Sequence, residues 1–258
     1  NQLLAATLGV APSSHTTRMA ANTLREGALS PVRLLPQTNA GAMVFFNDWE
    51  YDGDSTLDGR TIGAHPSYTA PLAEDTDLTV TVPIYRNSLE DVDDPLLAFG
   101  FDARATRKLG ENTKAGLHIN LMNHSFEDYP YAMEDDVLSL TIGGFAGLKR
   151  EVSEKWCLSG GFLLDYTTPQ EGEDTWLGAV GGNAGYRVRE DAVLNAYGMF
   201  FRDLSQEDVI EDEDFGELGI EAELLVRKGW SFTVGAKTVV GFDDYKSFEG
   251  YMGLRGTL

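Results

Sequence analysis

Three histidines, His65, His118 and His124, fall at positions of one parity within alternating segments, and imidazoles sharing a cavity bind transition metals. Six residues of extended chain hold His118 and His124 roughly 20 Å apart, so these two cannot share an ion. The triplet His118-Ile119-Asn120 sets an imidazole and an amide on one face without a hydroxyl, and His124-Ser125 puts its pair on opposite faces. A nucleophile needs its base within hydrogen-bond reach. Neither pair supplies that, so no enzyme is expected. The loop from Asp52 to Gly59 spaces the carboxylates Asp52, Asp54 and Asp58 like part of a calcium loop. It lacks the glycine at the sixth position and the bidentate acid at the twelfth, which leaves a weak calcium candidate in a solvated loop. No cofactor is expected. The most demanding constellation is Glu217, Glu221 and Glu223 on one face of one segment with nothing basic between them. Carboxylates cannot lie in a dry core unpaired, so these three require water, cations or bases from neighbouring elements.

The elements that must position these groups are short alternating runs separated by turn residues, the pattern of antiparallel β structure. Strands are predicted near 42–51, 60–72, 78–87, 97–108, 114–126, 137–149, 156–166, 175–187, 192–202, 215–226, 230–241 and 247–258. No run of eighteen apolar residues exists, which excludes a helical membrane span. A net charge of −21 excludes nucleic acid as a partner. Cys157 stands alone, so no intrachain disulfide forms. Asn1–Pro12 has an apolar stretch without a basic start, and no cleavable export signal is expected within the chain.

Splitting each strand by parity gives one face without charge. It comprises Leu78, Val80, Val82 and Ile84; Ala115, Leu117, Ile119 and Leu121; Leu138, Leu140, Ile142, Ala146 and Leu148; Leu218, Ile220, Ala222, Leu224 and Val226; and Trp230, Phe232, Val234 and Ala236. The opposite faces carry Asp102, Arg104, His118, Asn120, His124 and the three glutamates. A soluble sandwich also alternates, but with its apolar face inward. Two patterns favour a closed transmembrane β-barrel of about twelve strands. Trp156 and Tyr166, then Trp176 and Tyr186, stand ten residues apart on the apolar face, which spans roughly 25 Å of membrane and makes these four, with Trp230, an aromatic girdle. Short links at Leu109–Thr113, Arg150–Lys155, Val188–Asp191 and Arg227–Gly229 alternate with longer acidic ones at Glu127–Asp136, Thr167–Asp174 and Asp203–Asp214. Both ends of the barrel then fall on the short-turn side.

The last segment, Ser247 to Leu258, alternates Phe248, Met252, Leu254 and Leu258 up to an apolar final residue. It resembles the terminal strand of bacterial outer-membrane β-barrels, and the resemblance, which extends over Ala42–Leu258, implies an outer-membrane, porin-like barrel in contact with membrane lipid. The resemblance also implies recognition of that strand by the barrel assembly machinery. Leu258 departs from the usual aromatic final residue.

Residues 1–41 do not read as β. Thr16–Gly27 holds helix formers, and Pro31 and Pro36 end any continuation, so a helix and an extended link are expected. This unit hangs on the periplasmic side, enters the lumen, or meets a periplasmic or membrane partner; residues 42–258 form the barrel. Both termini are expected in the periplasm. Charged residues of lumen parity are Asp48, Glu50, Asp102, Asp165, Glu217, Glu221, Glu223 and Glu249 against Arg104, Lys114, Lys149, Arg187, Lys237 and Arg255. So balanced a set fits a narrow passive pore for small cationic or neutral solutes. The alternative is a plugged structural barrel cross-linked by Lys237, Arg187, Arg255, Arg18 or Arg25. An outer-membrane lipid or peptide hydrolase ranks behind both.

Overall fold

Alternation along the chain is realised as strands whose two faces meet different surroundings. The computed structural model describes residues 14–35, 38–51, 58–89, 96–125, 137–170, 173–205, 214–241 and 245–258. Its strands are β1 (Ala40–Tyr51), β2 (Gly59–Ala73), β3 (Thr76–Thr81), β4 (Ile84–Leu89), β5 (Leu96–Lys108), β6 (Thr113–Ser125) and β7 (Val137–Glu151). β8 (Trp156–Pro169), β9 (Thr175–Arg189), β10 (Ala192–Asp203), β11 (Asp214–Arg227), β12 (Trp230–Val240) and β13 (Tyr245–Gly256) complete the set. Each pairs antiparallel with its neighbours, and β1 pairs with both β2 and β13, which closes the sheet on itself.

β3 and β4 form one crossing in two pieces. Both lie between β2 and β5, and Pro83, which has no N–H to give to a ladder, marks the break. Val82 N donates to Pro66 O and Gly100 N to Pro83 O, so the neighbours stay joined across it. The barrel therefore has twelve crossings from thirteen strands.

The two faces are distinguished most sharply in β11, where Ile220 is 65 % exposed and its neighbour Glu221 is 2 % exposed. An apolar outer face around a polar interior is the reverse of a sandwich and the signature of a membrane barrel. Leu117, Ile119, Leu138, Ile142, Leu218 and Val234 point outward as well. Tyr186 packs tilted against Trp156 at the turn-side end of β8 and β9, ring centres 4.7 Å apart, and Tyr166 against Trp176 at the loop-side end, 4.8 Å apart. Trp230 lies at the turn-side level with the Arg227 guanidinium 5.3 Å from its ring centre. The Tyr166 hydroxyl donates to Asp174 in the adjoining loop, which holds that carboxyl below its ordinary range.

One strand departs from the predicted parity. In β1 the buried residues are Phe45, Asn47 and Trp49, while Asp48 and Glu50 face outward. Charge misleads here because these acids sit at the loop-side end, past the apolar band, where Asp48 pairs with the outward Arg60 at 2.9 Å. Asp48 and Glu50 are thus removed from the lumen set.

Candidate functional site: a segment threaded through the lumen

The N-terminal segment fills the interior. Helix α1 (His15–Asn22) begins at Ser14, whose hydroxyl caps it by accepting from Thr17 N at 3.1 Å. It continues without a break into a π-helical turn, Thr23–Leu29, a form frequent at functional sites. Ser30, at φ 47°, ends the turn in the left-handed region, and the residues described after it, as far as Leu35, form neither helix nor strand.

The direction of threading follows from the contacts. His15 meets Asn87 and His124, near the loop-side ends of β4 and β6. Leu34 N donates to Glu223 at 3.2 Å, near the turn-side end of β11. The segment therefore enters β1 from the turn side after descending the whole lumen, and Ser14 lies at the opposite mouth from the start of β1 and the end of β13. The two ends of the barrel itself, Ala40 and Gly256, share the turn side.

One face of the segment is apolar. Ala20, Ala21, Leu24, Ala28 and Leu29 pack with Phe145, Leu163, Leu177, Ala179, Met199 and Phe201 in one buried cluster. The approach to β7 and β8 is close enough that a Cβ on Gly147 would overlap the Ala28 carbonyl, and one on Gly161 the Ala28 side chain. Glycine is required there to let backbone meet backbone. The Leu29 carbonyl also accepts from the Ser159 hydroxyl.

The other face carries arginines against the acidic wall. Arg18 binds Glu249 at 2.5 Å and lies 5.4 Å from the centre of the Phe45 ring. Arg33 bridges Glu221 at 2.6 Å and Glu26 at 2.5 Å, and approaches Glu223 at 4.0 Å. Arg25 sits over Tyr251 and Tyr197, 5.0 and 5.8 Å from their ring centres, with Glu26 at 3.3 Å and Glu221 at 3.9 Å. Glu221 also accepts from Asn195 and from the Tyr251 hydroxyl, each at 3.2 Å. Lys237 joins Glu217 at 2.8 Å to Glu249 at 3.4 Å, and Arg255 reaches Glu26 at 3.5 Å. Glu223 accepts from Ser231. The three glutamates of β11 thus find the bases they require. Arg18, Arg25, Lys237 and Arg255 are expected members of such a network; Arg33 and Glu26 are not, because nothing in the spacing assigns the link holding Arg33 to the lumen, and Glu26 carries the same charge as the wall it joins.

The histidines separate into two groups. His118 Nε2 lies 2.7 Å from Asp165, with Asp102 at 3.7 Å from Nδ1, and Asn120 is buried beside them on the same strand face. His124 instead meets His15 at 3.0 Å between Nδ1 atoms, and Asn87 lies 2.9 Å from the far nitrogen of His15. Tyr85 stacks on His15 and its hydroxyl is 2.8 Å from His65 Nε2. The hydroxyl within reach of His124 is that of Ser139 on the next strand, at 3.3 Å, and not Ser125. Both are buried beneath His15. Among the described residues, no group of three or more His, Cys, Asp or Glu side chains is arranged to hold a metal. Asp52 and Asp54 lie outside the described residues; Asp58 stands just before β2.

No family model matches the sequence, and no curated relative is found by sequence. The fold, in contrast, has many solved neighbours. The translocator domain of the autotransporter NalP from Neisseria meningitidis superposes with a TM-score of 0.64 at 15 % identity, covering 94 % of each chain. The β domain of the Bordetella autotransporter Brka gives 0.61 at 12 % identity over 85 % of this chain and 99 % of that one. An outer-membrane channel from Pseudomonas putida F1 gives 0.60 at 10 % identity over 88 % and 99 %. The fold is therefore shared with solved outer-membrane β-barrels, among them a porin, a channel and translocator domains.

Proposed function

We propose that this chain is a threaded outer-membrane transport barrel of the translocator type, held closed by its own N-terminal segment. The observation that carries the reading is the direction of threading, from the long-loop mouth at His15 to the short-turn mouth at Leu34. In outer-membrane barrels the long loops face the exterior and the short turns the periplasm. Ser14 then stands at the exterior mouth, while the ends of the barrel itself remain periplasmic. The likeness to two autotransporter barrels supports this reading. An epitope placed ahead of Asn1 tests it: on intact cells the epitope is reached by antibody and by added protease. Protection on intact cells, with exposure only after the outer membrane is opened, would overturn it.

A second reading keeps a narrow passive pore for small cationic or neutral solutes. The likeness to an outer-membrane channel favours it, and it requires the segment to leave the lumen. In planar bilayers the translocator reading expects the full chain to be closed at rest. Steady currents from the unaltered chain would favour the pore. Neither reading uses a catalytic residue. In both, the outward face contacts lipid, and β13 presents Phe248, Met252 and Leu254 to the assembly machinery.

A further inference from the structure

Where the segment parts from β1, β2, β3 and β13, a cavity of about 110 Å³ remains, lined by Arg25, Arg33, Arg104, Arg255, Glu26 and Glu221 among others. Arginines outnumber carboxylates around it. Glu26 is already shared by Arg25, Arg33 and Arg255, and Glu221 by Arg25 and Arg33. Lys114 adds a fifth cation nearby, donating to the Glu26 carbonyl at 3.3 Å. Arg104 has no ion pair or hydrogen bond among the described residues, and its Nε is buried without a partner. The Nε of Arg33 and the Thr233 hydroxyl are likewise buried without hydrogen-bond partners. Buried donors left unmade are costly, so a surplus of them around one void marks a place for an acceptor. The void opens toward the short-turn mouth: Gly41, Thr69, Thr79 and Arg255 of its lining lie near the turn-side ends of their strands.

We propose that this cavity binds a small oxyanion, a phosphate or a carboxylate, between the threaded segment and the wall. Two of its arginines come from the segment and two from β5 and β13, so the bound anion joins plug to barrel. Arg guanidinium forks match the oxygen geometry of either group. Because the complete site exists only with the segment in place, occupancy stabilises the closed barrel by mass action.

The test is calorimetric titration of the full, detergent-solubilised chain with inorganic phosphate and, separately, with acetate, alongside the Arg104→Gln variant. Arg104 makes no ion pair or hydrogen bond among the described residues, so its replacement leaves the ion pairs seen for the segment intact; circular dichroism and melting without ligand confirm the fold. One equivalent of phosphate or acetate binds the unaltered chain, and Arg104→Gln weakens it by roughly tenfold to a hundredfold, the loss expected for one charge-assisted hydrogen bond. The bound anion raises the melting midpoint of the unaltered chain and has little effect on the variant. The stronger binder of the two names the ligand class. Absence of binding by either anion, or equal binding by the folded variant, would overturn the proposal. Surface display of an epitope ahead of Asn1 is independent of this outcome, so the two proposals fail separately.

Discussion

The threaded segment meets two unlike halves of the barrel wall. Toward β7–β10 it offers Ala20, Ala21, Leu24, Ala28 and Leu29 to a surface of glycine, leucine and phenylalanine. Toward β11–β13 it offers Arg18, Arg25 and Arg33 to Glu217, Glu221, Glu223 and Glu249, directly or through Lys237. The first half is specific through shape, because an added Cβ has nowhere to go. The second is specific through charge, and it tolerates repacking of long side chains but not loss of a partner. One face thus fixes where the segment lies, and the other makes an acidic wall habitable without water.

The largest effect is expected on the shape side. Gly147→Val with Gly161→Val places side chains where the Ala28 carbonyl and the Ala28 side chain now lie, and overpacking costs about 1–3 kcal/mol even where side chains can adjust. At Gly147 the obstacle is backbone, so the segment is expelled while the lipid face is untouched. Planar-bilayer recording then shows steady currents that the unaltered chain lacks. A closed double variant would mean that the glycine seam does not set the segment's position.

Next comes Glu221→Gln, which removes the carboxylate shared by Arg33 and Arg25. Breaking a buried pair costs about 3–5 kcal/mol because the remaining charge is left uncompensated. Glu26 still serves both arginines, so the lower end of that range is expected, read as a fall in melting midpoint. Adding Arg33→Gln should recover part of it. A double variant no more stable than Glu221→Gln would show that the two charges are not coupled.

A third substitution, Ile220→Arg, changes the adjacent residue on the outer face. An arginine near the midplane costs about 2–4 kcal/mol against lipid. Insertion into liposomes falls, whereas ion pairing inside is unchanged. Together with Glu221→Gln it separates damage to the wall from damage to the plug, and normal insertion of Ile220→Arg would contradict a lipid-facing β11.

The barrel itself was legible because its rule is local. Parity, girdle spacing and alternating connection lengths need only the neighbours in sequence, and Ile220 with Glu221 shows how cleanly a period of two sorts them. The three glutamates announced that they needed partners, but not which. Arg33 follows Pro31 in a stretch without periodicity, and its pairing with Glu221 spans 188 positions, so nothing nearby encodes it. The inward glycines at 147 and 161 carried a signal that went unread: in a wall otherwise lined by bulk, small residues on neighbouring strands mark an object pressed against them. His15 was overlooked for the same reason as Arg33. Its role comes from His124 and Asn87, which the fold delivers.

The smallest effect belongs to Asp48, and it sharpens the contrast between paired charges inside and outside the barrel. Asp48 and Arg60 lie 2.9 Å apart, yet their side chains are 49 % and 67 % exposed. Exposed pairs contribute about 0–1 kcal/mol, since solvent and salt screen them and two long side chains must be held still. Asp48→Asn should therefore shift the melting midpoint little, and any shift should vanish as salt rises through about 1 M, where the screening length is about 3 Å. Glu249→Gln, which removes the one carboxylate close to buried Arg18 among the described residues, should by contrast destabilise the protein at every salt concentration. If instead Asp48→Asn proved as damaging as Glu249→Gln, and as indifferent to salt, then β1 would present its even-numbered residues to the lumen. The register of β1 against β2 and β13, and with it the closure of the barrel, would need to be redrawn.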